Sequence, residues 1–262
     1  MAERKTSIIH VDEHPWEDGG EIMTLPDGPR MKVYASDDAT GRTDTLINFP
    51  PGYIEPRHTH SGWHSCFLLE GRWIVEGKEI KAGSYMHGPA GPEQPHGPFH
   101  SPEGSLVFAT YSGTRDTMGH NWDATDPHAP APSEQSAQSK TRIVDIDELD
   151  WQDGSNLMTL PAGVRMKVFD EDEAAGRTDC LIEFPPGYVE PRHTHSAAHT
   201  GCLLKGDWIV EGKLLKPGSY FYGPAGDDQP HGPFESPNGT LIFISFQGGT
   251  GAAIEHHWDS DH

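Results

Sequence analysis

The second half of this chain repeats the first, and that duplication limits the folds open to it more than any other feature. Arg42 matches Arg177, His58 matches His193 and His96 matches His231, a constant offset of 135 residues that runs without a gap from Lys5 to beyond Phe108. FPPGY, WIVEGK, GPAG and QPHGPF each occur twice, and roughly two-thirds of positions 42–108 are identical to their counterparts. Two long copies are too few for a solenoid, so two tandem domains of one fold are expected. We place one at 1–122 and the other at 140–262, joined by 123–139. That joining stretch, within DATDPHAPAPSEQSAQSK, is rich in Pro, Ala, Ser and Asp and poor in large apolar residues, which is the composition of an extended linker.

Within each copy the chain reads as short strands cut by Gly and Pro. RMKVY and RMKVF alternate polar and apolar residues, as do TDTLINF and TDCLIEF, while GSLVFATYSG and GTLIFISFQG are apolar strand runs. Thirty Gly and 23 Pro leave little room for long helices. Each unit is therefore expected to be all-β and mostly antiparallel, a sandwich or small barrel. A net charge of −21 disfavours nucleic acid and anionic membranes as partners. No apolar run reaches the roughly 20 residues needed to cross a bilayer. The opening MAERKTSIIHVDEHPW holds no apolar signal-peptide core, so a cytoplasmic location is expected. Cys66, Cys180 and Cys202 form no CxxC pair and are read as buried, reduced thiols.

The chemistry gathers in EPRHTHSGWH and EPRHTHSAAH. Residues i and i+2 of a strand project to one side, so His58 and His60 point together, as do His193 and His195. His64 and His199 follow, and a later strand of each copy brings His96 and His231. A lone histidine is commonly a hydrogen-bonded core residue. Eight retained in register across two copies indicate a metal site in each.

These residues resemble the cupin family. The first cupin motif is matched by Gly52, His58, His60, His64 and Gly71, and again by Gly187, His193, His195, His199 and Gly206. The second is matched by Gly83, Pro89, Gly91 and His96, and by Gly218, Pro224, Gly226 and His231, with two extra residues before each histidine. The chain departs from the usual pattern in placing His64 and His199 where cupins carry a glutamate ligand. In this it resembles the three- and four-histidine cupins: the 2,4'-dihydroxyacetophenone dioxygenase-like group, the acetylacetone-cleaving dioxygenases and the ChrR-type anti-sigma cupins. The resemblance implies two tandem jelly-roll barrels, each with one iron or zinc ion held at His58, His60, His64 and His96 or at His193, His195, His199 and His231.

Imidazole suits Fe(II), Zn, Cu and Ni, with Fe(II) favoured here. An all-imidazole set leaves a divalent ion its full +2 charge, which favours an anionic chelating ligand such as an enolate, phenolate or carboxylate. The reading is a dioxygenase that takes O2 and cleaves a carbon–carbon bond in a small dicarbonyl or hydroxyketone. The alternatives are non-oxidative hydrolase, lyase or isomerase chemistry, and a non-catalytic zinc-binding regulatory module. No catalytic side chain is assigned. Differences between the copies beside the ligands, Trp63 against Ala198, His87 against Tyr222 and Met86 against Phe221, point to differing pocket walls; Tyr85 and Tyr220 are shared. Trp63, Tyr85, His87, Ala198, Tyr220 and Tyr222 are thus the pocket candidates. Strand alternation puts Glu55, Arg57, Glu190 and Arg192 among solvent or interface salt bridges, and HHWDSDH is read as a mobile tail. A homodimer is open besides.

Overall fold

The computed structural model describes residues 5–38, 40–114, 117, 120–122 and 141–259. The expected linker, 123–139, lies outside the described residues. Among the described residues only two short α-helices form, Gly19–Met23 and Gly154–Met158, beside three single-turn 3-10 helices; each α-helix is capped by an aspartate, Asp18 or Asp153, whose side chain accepts from a first-turn amide. Everything else of length is strand. No described helix is long and apolar enough to cross a membrane.

The chain forms two units, Pro15–Glu148 and Met1–His14 with Leu149–His262. In the first, the main sheet runs in the order Arg142–Asp145, Ser84–Gly88, His64–Val75, Ser105–Ser112, Arg42–Phe49, Arg30–Asp37 and Glu17–Asp18, with antiparallel neighbours. The far end of His64–Val75 continues into a second sheet with Lys78–Lys81, Phe99–Ser101 and Tyr53–Glu55. The second unit repeats this plan. Its main sheet holds Ser7–Ile9, Tyr220–Gly223, Ala198–Gly206, Thr240–Gln247, Arg177–Phe184, Arg165–Asp172 and Gln152–Asp153.

The alternation read in the sequence sets the faces. Ile47, Phe49, Cys66, Leu68, Met86, Val107 and Ala109 all enter one buried cluster with Trp73 and Phe99. Their counterparts Ile182, Phe184, Leu203, Phe221, Ile242 and Ile244 do the same around Trp208 and Phe234. Burying such side chains stabilises each unit by about 1.5–3 kcal/mol apiece, before chain entropy is set against it. The three cysteines are buried and free.

The leading strands differ from the sequence segmentation. Ser7–Ile9 belongs to the first sequence copy, yet it pairs with Tyr220–Tyr222 in the unit of the second. Arg142–Asp145, its equivalent in the second copy, pairs with Ser84–His87 in the unit of the first. Ile8 and Ile143 each pack on the core of the unit they join. Flanking ion pairs repeat the arrangement: Lys213 with Glu13 and Lys216 with Asp12 in one unit, Lys81 with Asp145 and Asp147 in the other. The two leading strands, SII at 7–9 and RIV at 142–144, keep the same central isoleucine, and each seats it in the unit of the other copy.

Candidate metal centre

Each histidine cluster is assembled from three segments that meet edge to edge. His58–His60 and its flanks carry the first two rings. His96 is bound to that strand by a reciprocal bridge: His58 N–H donates to His96 O and His96 N–H to His58 O, both at 3.0 Å. The two extra residues before His96 are absorbed in a turn, where Gly91 N–H donates to His60 O (2.9 Å) and Gln94 N–H to Gly91 O (3.1 Å). Hence the longer second motif still delivers its histidine. The same bonds join His193, His231, His195, Gly226 and Gln229 in the second unit. His64 opens the strand His64–Val75, and its ring rests against Gly88. A Cβ at position 88 would lie 2.3 Å from His64 Cε1, and one at 223 would lie 2.5 Å from His199 Cε1. Only glycine leaves room for the ring there.

The polarity of the rings can be read from their outer bonds. His58 Nδ1–H donates to Pro56 O (2.9 Å), His96 Nδ1–H to Gln94 O (3.1 Å) and His60 Nδ1–H to Gly62 O. A carbonyl only accepts, so each Nδ1 carries the proton and each Nε2 presents a bare lone pair. Yet His60 Nε2 and His96 Nε2 stand 2.9 Å apart, and His64 Nδ1 is 2.6 Å from His60 Nε2. Ligand atoms of His58, His60 and His96 all fall within 4.8 Å of one another, as do those of His193, His195 and His231. In the second unit, His193 Nδ1–H donates to Pro191 O (2.9 Å) and His231 Nδ1–H to Gln229 O (3.1 Å), while His195 Nε2 and His231 Nε2 are buried with no partner.

Burial keeps these rings neutral. Desolvation lowers His60 to about 4, His96 to about 3 and His193 to about 3, and carries His64 and His199 well below the ordinary range. Neutral, buried imidazoles with converging lone pairs and outer N–H groups tied to carbonyls are the donor set a transition ion takes.

A fifth histidine joins each cluster. His120–Trp122 pairs with His58–His60, and His256–Trp258 with His193–His195. The His120 ring centroid is 5.4 Å from that of His58, and His256 is 5.7 Å from His195. Burial lowers both to about 4. The strand at 256–258 corrects the mobile-tail reading for that part of HHWDSDH, since pairing with His193–His195 holds it; 260–262 lie outside the described residues. A signal was present, since HNWD at 120–123 and HHWD at 256–259 repeat. Their spacing is 136, one more than the offset of the rest, which hid the match.

Glu55 and Glu190 also depart from expectation. Both are buried, and Glu55 Oε1 lies 3.4 Å from His58 Nε2 while Tyr53 OH donates to Glu55 Oε2 (3.3 Å). Pro56 and Pro191 interrupt the strand, so alternation does not carry across to the histidines. Burial pushes Glu55 up to about 7 and Glu190 to about 8. Burial raises Glu55 and lowers His58, so it works against an ion pair in the Glu55–His58 contact.

A cavity of about 20 Å³, space for roughly one water-sized molecule, adjoins the first cluster; Met86, Cys66 and Tyr111 are in its wall. Trp63, Tyr85 and His87 are not. Strand alternation turns Tyr85 and His87 away from Met86, and both bond Ser65 Oγ, at 3.2 and 3.0 Å; the Trp63 ring sits 5.9 Å from that of His87. Tyr220 and Tyr222 flank the inward Phe221 in the same way, and Ala198 is half-buried at the start of its strand. Tyr85 and His87 thus stand one position out of phase with Met86, the residue of that strand in the cavity wall.

Two antiparallel barrels, each with histidines converging from the same two motifs, define a tandem cupin. Residues 4–115 and 139–249 each match the ChrR cupin-like domain family. The chain belongs to that family. Its fold is similar to that of a candidate dioxygenase from Nostoc punctiforme, at 14% identity and a TM-score of 0.77, over 99% of this chain and 89% of that one. It is similar also to salicylate 1,2-dioxygenase of Pseudoaminobacter salicylatoxidans, with gentisate bound, at 9% identity and a TM-score of 0.65 over 98% and 85% of the two chains. Oxalate decarboxylase of Lactobacillus farciminis, a formate complex, gives 10% identity and a TM-score of 0.63 over 98% and 89%. No curated protein sequence matches the chain.

Proposed function

We propose that this protein is a metal-dependent tandem-cupin enzyme, a non-haem iron(II) dioxygenase that cleaves a carbon–carbon bond in a small dicarbonyl or hydroxyketone. One observation carries the metal: His60 Nε2 and His96 Nε2, both bare of protons, face each other at 2.9 Å. Two lone pairs repel at that distance unless a cation lies between them. Nitrogens about 2.1 Å from one ion are spaced about 3 Å apart, so the separation suits a shared transition ion.

His58, His60 and His96 would hold the ion in the first barrel with His64 as fourth donor; His193, His195 and His231 with His199 would do so in the second. When bound, an iron(II) ion supplies Lewis acidity toward a chelating oxygen anion and a site for reaction with O2. The protein's own part is positional. Pro56, Gly62 and Gln94 carbonyls fix ring orientation and tautomer. The wall of Phe49, Trp73, Phe99 and Val107 excludes water. The proposed donors are all imidazoles, which leave a divalent ion its charge for an anionic substrate, and the nearby Glu55 carboxyl is raised by burial, which disfavours its anionic form. The fold likeness to dioxygenases supports the oxidative reading. The likeness to a decarboxylase keeps non-oxidative chemistry as the second.

The test is elemental analysis of the purified protein, then O2 uptake after Fe(II) loading with a panel of diketones and hydroxyketones. Two metal ions per chain and substrate-dependent uptake are expected. Metal without uptake, but with substrate loss, transfers the assignment to the non-oxidative reading; a chain that takes up no transition metal overturns both.

A further inference from the structure

The two centres share their histidines but not their walls. Cys66 and Met86 line the first, and the equivalent positions are Gly201 and Phe221. These two exchanges are one event. A Cβ on Gly201 would lie 2.0 Å from Phe221 Cε1, so the phenyl ring occupies the space that a cysteine side chain takes in the first barrel. The Phe221 ring reaches the centre itself, with its centroid 5.0 Å from that of His199. Phe246 stands 5.5 Å from the same histidine, where the first barrel has Tyr111, 5.7 Å from His64. The first wall thus offers a thiol, a thioether and a phenol around a small cavity. The second offers two phenyl rings packed on the ligand and no hydrogen-bond donor at those positions.

Resting on the metal reading above, we propose that the centres are unequal: the first barrel admits a small anionic ligand beside its ion, with the Tyr111 phenol as hydrogen-bond donor, and the second is closed by Phe221 and Phe246 and holds its ion as a fixed structural site. Phe221 with Gly201 is the device that closes it. Turnover then belongs to the first barrel alone, and the second contributes stability through its bound ion.

Cobalt(II) loading with azide as probe tests this without any substrate. The protein carrying two Co(II) ions is titrated with azide, following the visible d–d bands. The expected result is one azide per chain with half the cobalt responding. Response persists in the variant His193→Ala/His195→Ala and disappears in His58→Ala/His60→Ala. Tyr111→Phe weakens azide about 10–100-fold, the worth of one hydrogen bond to a charged group. Gly201→Cys/Phe221→Met raises the count toward two. Should the histidine variants fail to fold, the stoichiometry of the unaltered protein decides. Two azides per chain, none, or a response that survives His58→Ala/His60→Ala overturns the inequality while leaving the metal reading intact. A chain that shows no cobalt spectrum before azide is added overturns the metal reading itself.

Discussion

The two barrels are alike where metal chemistry demands it and unlike one layer further out. The cupin-motif histidines recur, with two of their carbonyl anchors and the glycine cradle: Pro56 with Pro191, Gln94 with Gln229, Gly88 with Gly223. Cys66, Met86 and Tyr111 do not. Duplication therefore kept the parts that set the donor field and released those that set access. A paired change such as Cys66 and Met86 against Gly201 and Phe221 conserves packed volume, which is why both cores remain filled while the pockets differ.

Experiments can break this comparison in order of expected effect. The largest concerns the ligands. His60→Ala with His96→Ala removes all measurable O2 uptake and lowers metal content from two ions per chain to one; His195→Ala with His231→Ala lowers metal content equally but keeps most of the uptake. Equal loss of uptake from both pairs would erase the distinction between barrels. Next come the cradles. Gly88→Ala or Gly223→Ala drives a methyl into His64 or His199 and weakens metal binding in its own barrel by about 10–100-fold, read by chelator competition. The two should act alike, because the cradle belongs to the shared layer.

The wall is the third. Gly201→Cys alone collides with Phe221 and destabilises the protein by about 1–3 kcal/mol in urea unfolding. Adding Phe221→Met restores it. A Gly201→Cys protein of unchanged stability would mean that Phe221 yields freely and closes nothing. The smallest difference between barrels is in acid. In the metal-free protein His60, His120 and His256 are lowered to about 4. Their unfolded forms bind protons from about pH 6.5 downward, so this part of stability is complete above that pH and is lost as pH falls toward 4. Glu55 and Glu190 act with the opposite sign. Raised to about 7 and 8 from an ordinary 4.5, they contribute fully below pH 4.5 and lose that contribution as pH rises through 7–8. Urea midpoints of the metal-free protein from pH 4 to 9 should therefore fall on both sides of a maximum, and the two barrels should share it.

Much of the site was legible because the chain carries its own alignment. The HTH pairs, His64, His96 and their counterparts could be found by register alone. His120 and His256 could not, since a single inserted residue shifts them off the common offset. Glu55 was misplaced because strand alternation was carried through Pro56, where the strand stops. Differences between the copies pick out Met86 and His87 together, but only Met86 lines the cavity, because one step along a strand turns a side chain to the other face. The exchange of leading strands lies beyond local sequence: Ile8 and Ile143 hold equivalent positions, and the partner each strand takes is set by tertiary pairing.

That exchange has a consequence for synthesis. Ser7–Ile9 is made before its partner Tyr220–Tyr222, which lies more than 200 residues downstream, as the Val11 to Ser219 bond across 208 positions records. At about 5–20 residues per second the strand waits roughly 10–40 s with its edge unpaired. Ser7–Ile9 is thus committed to a unit synthesised after the one that follows it in sequence, and that intervening unit cannot complete its own sheet until translation has passed Asp145.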